Sequence, residues 1–209
     1  MSRPKNKPFV FINCPFDPFY RPLFERICFT LLCCGYIPRC SLEDLNSGIP
    51  RLEKLIHIIP QCPLGIHDLT RTQTGINQLP RFNMPFELGL YLGSRVFGAR
   101  KHPPQQTLIL VKHPHQYQAF ISDIAGNDPL VYTTEDELVA RVYDWLQSLS
   151  STRLPGPRKI LRAFCELQTE LPAYRRELGL DVDALSFNDF VYLSRHLLAR
   201  YTEILSHAI

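Results

Sequence analysis

Short apolar runs and amphipathic stretches alternate five times within the first 150 residues of the chain. The apolar runs have the length and composition of buried strands, and each is followed by a stretch with helical spacing of apolar residues. They lie at residues 8–13, 36–40, 63–68, 107–111 and 130–132. Repeated strand–helix units build parallel sheets with helices on both faces. We therefore predict an α/β fold, with a five-stranded parallel, flavodoxin-like sheet flanked by helices.

Residues that start or stop secondary structure lie where this alternation needs them. Pro22 suits the first turn of a helix and Gly35 its end. Pro38 cannot donate a backbone hydrogen bond, so the second strand is predicted at a sheet edge. Asn83 and Thr134 are each predicted to cap a helix start.

The chain is predicted to divide into an α/β domain, residues 1–150, and a C-terminal helical appendage, residues 151–209. A stretch rich in Ser, Pro and Gly at residues 150–157 resembles a linker. Apolar residues at helical spacing predict appendage helices at residues 160–178 and 187–207. Two roles stay open for these helices: packing on their own domain, or contact with a second copy or a partner protein.

Composition excludes several classes of function. The net charge of +3, from 23 basic and 20 acidic residues, is too small to favour a nucleic acid as partner. No apolar run reaches about 18 residues, so we expect no membrane-spanning helix. The seven cysteines come without a secretory signal, which favours reduced thiols and a cytoplasmic location.

No cofactor or metal is predicted from the motifs. Neither the Gly-x-Gly-x-x-Gly pattern nor the Walker pattern occurs, which argues against a dinucleotide-binding Rossmann enzyme and a P-loop ATPase. His113 and His115 flank a proline, but no further ligand follows at metal-binding spacing.

Polar side chains follow the predicted strands. Ligands of open parallel sheets bind beyond the carboxyl ends of the strands, so these residues are predicted to form a polar cleft. The candidates are Asn13, Asp17, Arg39, Asp68, Arg81, Asn83 and Glu87.

Asp68 and Glu87 are the candidates for chemistry. Asp68 ends a buried strand, and Glu87 lies among apolar residues at 84–90. A carboxylate in such surroundings has to be desolvated, paired or used. Near a helix start it is favoured in the ionised form, which can attack or stabilise an oxocarbenium ion in glycosidic-bond cleavage. The alternative interpretation is a helix-start acid paired with Arg81.

Other candidates also have two interpretations. Asp17, before a proline, is either a turn-capping residue or a substrate contact. Arg39 and Arg51 either bind a phosphate or lie at the surface. His67 is either a base or a packed, hydrogen-bonded residue.

Three segments resemble a known superfamily. They are Phe-Ile-Asn-Cys-Pro-Phe-Asp at 11–17, Ile-His-Asp-Leu at 66–69, and Pro-Arg-Phe-Asn-Met-Pro-Phe-Glu-Leu-Gly at 80–89. In their order along the chain they look like the superfamily that unites nucleoside 2-deoxyribosyltransferases with Toll/interleukin-1 receptor (TIR) domains. The likeness covers residues 8–150. The glycine-rich stretch that precedes the glutamate in the transferases is absent.

The resemblance implies roles for the candidate residues. In the transferases the matching glutamate attacks the anomeric carbon and an aspartate assists at the base, which implies those roles for Glu87 and Asp68. In TIR domains the matching glutamate supports cleavage of the nicotinamide glycosidic bond of NAD. The substrate contacts that the resemblance implies are Asn13, Asp17, Arg39, Arg81 and Asn83.

Two functions follow as expectations. The first is an N-glycosidase that cleaves a nucleotide, a nucleoside or NAD, in anti-phage defence as in the bacterial TIR-like group that the chain resembles. The second is a non-catalytic module that senses a nucleotide or assembles through TIR-like contacts.

Overall fold

The computed structural model describes residues 8–70, 82–98, 105–119, 121–180 and 185–206. Five parallel strands form one sheet in the order β2-β1-β3-β4-β5. The strands are β1 Phe9–Asn13, β2 Ile37–Arg39, β3 Leu64–Asp68, β4 Gln106–Val111 and β5 Leu130–Val131. This order is that of flavodoxin-like sheets, which confirms the predicted fold class, with β2 at an edge.

Six α-helices surround or extend the sheet within the described residues. They are α1 Arg21–Cys33, α2 Arg51–Ile58, α3 Asn83–Phe97, α4 Glu135–Leu149, α5 Pro157–Glu177 and α6 Phe187–Ser206. None of the described helices is both long and apolar enough to cross a membrane.

The side chains of β1 divide between two hydrophobic cores. Val10 and Ile12 pack into the larger core, which includes buried residues of α1, α4, α5 and α6. Phe11, the residue between them, packs into a smaller core with residues of α2 and α3. Successive side chains of a strand point to opposite faces, so β1 buries both of its faces.

Local signals account for the helix boundaries. Helix α1 ends before Gly35, whose φ of 83° lies in the left-handed region that glycine adopts without strain. The Gly35 and Tyr36 amides donate to the carbonyls of Leu32 and Leu31, which is the Schellman pattern. Thr134 caps α4, as predicted.

The prediction that Asn83 caps α3 is wrong by one position. The capping position is Phe82, whose carbonyl accepts the Phe86 amide at 2.9 Å. Asn83 is therefore the first residue of the helix, and its side chain is exposed.

The appendage helices pack on the α/β part. Helix α5 contacts α1 and α4, and helix α6 contacts α1. The Phe164 ring of α5 lies 5.4 Å from the Phe29 ring of α1, centroid to centroid. Phe190 and Leu193 of α6 are buried in the same core as the strand residues.

Candidate active site

The amino end of α3 is fastened to the carboxyl ends of two strands. Asn13, the last residue of β1, donates from Nδ2 to the Met84 carbonyl oxygen at 2.8 Å. The same Nδ2 lies 3.1 Å from His67 Nδ1 on β3. Asn13 thus positions the start of α3 at the edge of the sheet where a ligand of this fold class would bind.

Glu87 lies one turn into α3 and is 2% exposed. Helical side chains lean toward the amino end of their helix, which turns this carboxylate toward the same edge of the sheet. Arg51, the first residue of α2, donates from Nη2 to Glu87 Oε1 at 2.7 Å. Burial raises the pKa of Glu87, and the charge and hydrogen bond of Arg51 oppose that increase.

The Arg51 side chain is 47% exposed. Its guanidinium carbon lies 5.7 Å from the centroid of the Phe16 ring, a cation–π contact with the loop between β1 and α1. The ion pair therefore joins a buried carboxylate to a guanidinium that reaches solvent.

Asp68 is 0% exposed, and its carboxylate is satisfied by the protein. Oδ2 accepts hydrogen bonds from the Tyr20 and Tyr132 hydroxyls, the latter at 2.7 Å. Oδ1 accepts from the Thr70 amide at 2.8 Å. Burial raises the pKa of Asp68, and these hydrogen bonds oppose the increase. Asp68 thus joins the end of β3 to the start of α1 and the end of β5.

Asp68 and Glu87 are held by different partners. Asp68 is bound by Tyr20, Tyr132 and Thr70, and Glu87 is bound by Arg51. Asp68 ends β3, and Glu87 lies one turn into α3, the start of which is linked to the end of β1 by Asn13.

His67 is packed between two rings. Its ring centroid lies 4.8 Å from that of Tyr91 and 5.9 Å from that of Phe11. Because Asn13 donates to Nδ1, the ring proton lies on Nε2, which has no hydrogen-bond partner among the described residues. Burial lowers the pKa of His67 to about 3. This arrangement matches the packed, hydrogen-bonded interpretation.

Asp17 caps the turn that leads into α1. Its Oδ1 accepts the amides of Phe19 and Tyr20, each at 3.1 Å. These hydrogen bonds are those of a turn-capping residue, and the turn carries Tyr20 to Asp68. A substrate contact of Asp17 stays a prediction.

Arg39 is directed away from the candidate site. It binds both carboxylate oxygens of Glu43 at 2.6 Å, and its guanidinium lies over the Phe9 ring at 4.7 Å. Phe9 is the first residue of β1, and Gln61, a further partner of Arg39, precedes β3. The guanidinium thus lies toward the amino ends of the strands.

Two candidates remain. Asn83 is exposed at the start of α3, and no described hydrogen bond joins it to Asp68 or Glu87. Arg81 lies outside the described residues, so its pairing with Glu87 stays a prediction. The observed partner of Glu87 is Arg51.

A small cavity of about 40 Å³ lies beside the β1–α1 loop. Phe16 and Asp17 line one side of it, and Phe187 and Phe190 of α6 line another. Neither Asp68 nor Glu87 is among its lining residues. Within the described residues, no three His, Cys, Asp or Glu side chains are grouped to hold a metal ion.

Tyr20, Thr70 and Tyr132 are site residues that the sequence reasoning missed. Thr70 follows the predicted strand 63–68, Tyr20 follows the turn after the first strand, and Tyr132 is the last residue of the predicted strand 130–132. Counting hydroxyl side chains at and just beyond the carboxyl ends of the strands would have found Thr70 and Tyr132.

Comparisons of the chain with protein-family models, curated proteins and solved structures returned no match. The site holds a buried carboxylate, that of Glu87, whose ionic partner Arg51 reaches solvent. It lies at the carboxyl ends of the strands, where open parallel sheets generally bind ligands.

Proposed function

We propose that this protein is an N-glycosidase that cleaves the bond between the base and sugar carbon C1′ of a nucleotide, a nucleoside or NAD. The supporting observation is the Glu87 carboxylate, which is buried at the carboxyl edge of the sheet and paired with Arg51 at 2.7 Å. A buried carboxylate with a cationic partner suits stabilisation of, or attack on, an electron-poor C1′.

The proposed reaction has two halves. Glu87 attacks or stabilises C1′ while the C1′–N bond breaks, and the electron pair of that bond leaves with the base. The base of a nucleoside or nucleotide takes up a proton from solvent water, whereas the nicotinamide of NAD, which is cationic before cleavage, leaves as a neutral molecule without one. A second water then adds its oxygen to C1′ and loses a proton, which restores the carboxylate. If a second base takes the place of this water, the reaction is a transfer instead of a hydrolysis.

Asp68 serves as a positioning residue in this proposal. Its oxygens accept hydrogen bonds from Tyr20, Tyr132 and Thr70, and the residue is 0% exposed. It holds the β1–α1 turn and the end of β5 in place around the site.

A non-catalytic nucleotide-binding module is the second candidate. The observation that favours it is that the Glu87 carboxylate is buried and already paired with Arg51 in this structure. Under this function, nucleotide binding persists in Glu87→Gln and neither protein releases a base.

The test incubates wild type, Glu87→Gln and the control Glu166→Gln with NAD, nucleoside monophosphates and deoxynucleosides. Glu166 is the acid of an exposed pair with Arg162 on α5, remote from the candidate site in the fold. Base release is measured by mass spectrometry at dilute and high protein concentration. We expect Glu87→Gln to lower it about 100-fold or more and Glu166→Gln to leave it unchanged.

Water enriched in oxygen-18 identifies the acceptor, because hydrolysis labels the sugar and transfer to an added base does not. If wild type releases no base from any member of the panel, the N-glycosidase proposal is wrong. A role in anti-phage defence belongs to the same proposal. It predicts that expressing wild type, but not Glu87→Gln, reduces phage plaque numbers.

A further inference from the structure

The Arg51–Glu87 pair has one buried and one exposed partner. The Glu87 side chain is 3% exposed, whereas that of Arg51 is 47% exposed. Nearly half of the Arg51 side chain already lies in solvent, so its guanidinium can turn further outward. Glu87 would then lose the partner that satisfies its charge.

Arg51 uses only part of its hydrogen-bonding capacity. A guanidinium has five N–H donors in a planar fork. Across the described stretches of the chain, one of them binds Glu87 and no other acceptor contacts the group. Phe16 covers one face of the guanidinium and leaves its donor edge to other ligands.

The surroundings of Arg51 favour an anion. Arg51 is the first residue of α2, and Pro50 at the capping position makes no side-chain hydrogen bond to that helix end. The positive end of the helix dipole adds to the positive charge of the guanidinium. A phosphate has more charge and more acceptor oxygens than a carboxylate, and it fits the guanidinium fork with two parallel hydrogen bonds.

We propose that Arg51 is a phosphate-operated latch on Glu87: a substrate phosphate takes over the guanidinium and frees the carboxylate for C1′. The inference rests on the proposed function and deepens it. It assigns phosphorylated substrates, nucleotides or dinucleotides, as the substrate class in preference to nucleosides.

Other described arginines near the β1–α1 loop and β2 lack this property. Arg39 binds both oxygens of Glu43, and the two side chains are 17% and 19% exposed. Arg21 is held by Glu25 and by the Leu185 carbonyl oxygen. Arg51 is bound through a single hydrogen bond to a buried partner, which makes it available for exchange.

The test measures binding by calorimetry with three probes: inorganic phosphate, adenosine 5′-monophosphate and adenosine. The variants are Arg51→Gln, Arg51→Lys and Glu87→Gln, with Arg162→Gln as control. Arg162 also pairs with a glutamate through one Nε contact, but on α5. Circular dichroism establishes that each variant is folded, and Arg51→Lys covers the case in which Arg51→Gln is not.

The latch predicts that substitutions of the two partners of this ion pair change the affinity for phosphate in opposite directions. Arg51→Gln should weaken monophosphate binding about tenfold or more and leave adenosine binding unchanged, because a charged hydrogen bond is lost. Glu87→Gln should tighten binding of the monophosphate and of inorganic phosphate, because the competing charge is removed. Arg51→Lys should lie between wild type and Arg51→Gln, and Arg162→Gln should bind like wild type.

Three results would overturn the latch. They are equal weakening by Arg51→Gln and Glu87→Gln, an unchanged phosphate preference in Arg51→Gln, and no binding of either phosphate probe to wild type. Preference for free phosphate alone would also contradict the assigned substrate class. These binding results do not depend on turnover. If the two variants shift phosphate binding in opposite directions but wild type releases no base, only the glycosidase proposal is contradicted. If wild type releases base but both variants weaken phosphate binding equally, only the latch is contradicted.

Discussion

At the scale of single residues, the two predicted acids have different surroundings. Glu87 has an ionic partner that reaches solvent, whereas Asp68 is enclosed by two tyrosines and a backbone amide. In the sequence, Asp68 was singled out as an acid that ends a buried strand and Glu87 as an acid among apolar residues. The different roles that we propose for them rest on this difference, because the Arg51 partner of Glu87 is 47% exposed whereas the partners of Asp68 are buried or backbone groups.

His67 makes stability depend on pH. Its pKa is lowered from 6.5 to about 3 by burial, so the unfolded state binds a proton below pH 6.5 that the folded state rejects. The stability that neutral His67 contributes is therefore present above 6.5 and is lost as pH falls. At about pH 5 the loss relative to pH 8 is about 2 kcal/mol.

The measurement is urea unfolding of wild type and His67→Gln from about pH 8 to about pH 5. The difference between the two free energies of unfolding should shrink by about 2 kcal/mol over that range. Asp68 and Glu87 have pKa values raised by burial and act in the opposite sense, but they are common to both proteins and cancel in the difference. His57→Gln, at an exposed position, serves as the control. Parallel pH profiles for wild type and His67→Gln would contradict this account.

At the scale of elements, the close approach of α3 to β3 depends on one glycine. A Cβ added to Gly65 would lie 2.6 Å from Tyr91 Cζ and 2.9 Å from His67 Nε2. A side chain there would push α3 away from the sheet. The same helix holds Glu87, so the packing at Gly65 helps to set the position of the candidate catalytic group.

Gly65→Ala should destabilise the protein by about 1–3 kcal/mol, because the added methyl group overlaps the Tyr91 ring. The matched control is Gly89→Ala on α3, where an added Cβ meets no atom within 4 Å. Alanine there should stabilise the helix by up to about 1 kcal/mol. Both values come from urea unfolding. Adding Tyr91→Leu to Gly65→Ala should cost less than the sum of the single changes, and strict additivity would contradict the proposed overlap.

Local sequence signals predicted several helix boundaries, but they did not predict which face of each helix is buried. Gly35 and Thr134 act on their own neighbours, which is why the C-terminal end of α1 and the start of α4 were predictable. On α2, Leu55 is buried, but Leu52 and Ile56 are 44% and 58% exposed despite their helical spacing. Which of several apolar residues faces the sheet depends on how the whole helix packs.

At the scale of the molecule, the appendage helices and the sheet share one core. Phe164 of α5 packs on Phe29 of α1, and buried residues of α6 join the same cluster. Of the two roles left open for these helices, the described contacts show packing on their own chain. A role in contacts with other proteins stays a prediction.

Phe164→Ala should lower the free energy of unfolding by about 3–5 kcal/mol, because it removes a buried ring at the junction of α5 and α1. Calorimetry should show one transition that moves as a whole to lower temperature. Tyr192→Ala, at a position 62% exposed on α6, should change stability by less than about 0.5 kcal/mol. Two separate transitions, with the second unshifted by Phe164→Ala, would indicate that the appendage unfolds independently.

Periodicity and turn residues were sufficient to predict the five parallel strands and the position of β2 as an outermost strand. They also predicted that Asp68 and Glu87 lie at the carboxyl ends of the strands. These are properties of neighbouring residues and of chain connectivity. The partners of the two acids come from tertiary structure alone: Arg51 is 36 positions from Glu87, and Tyr20 and Tyr132 are 48 and 64 positions from Asp68. Several arginines were equivalent in sequence. Among the described arginines, Arg51 is the one that lies within hydrogen-bond distance of Glu87, because α2 packs beside the sheet.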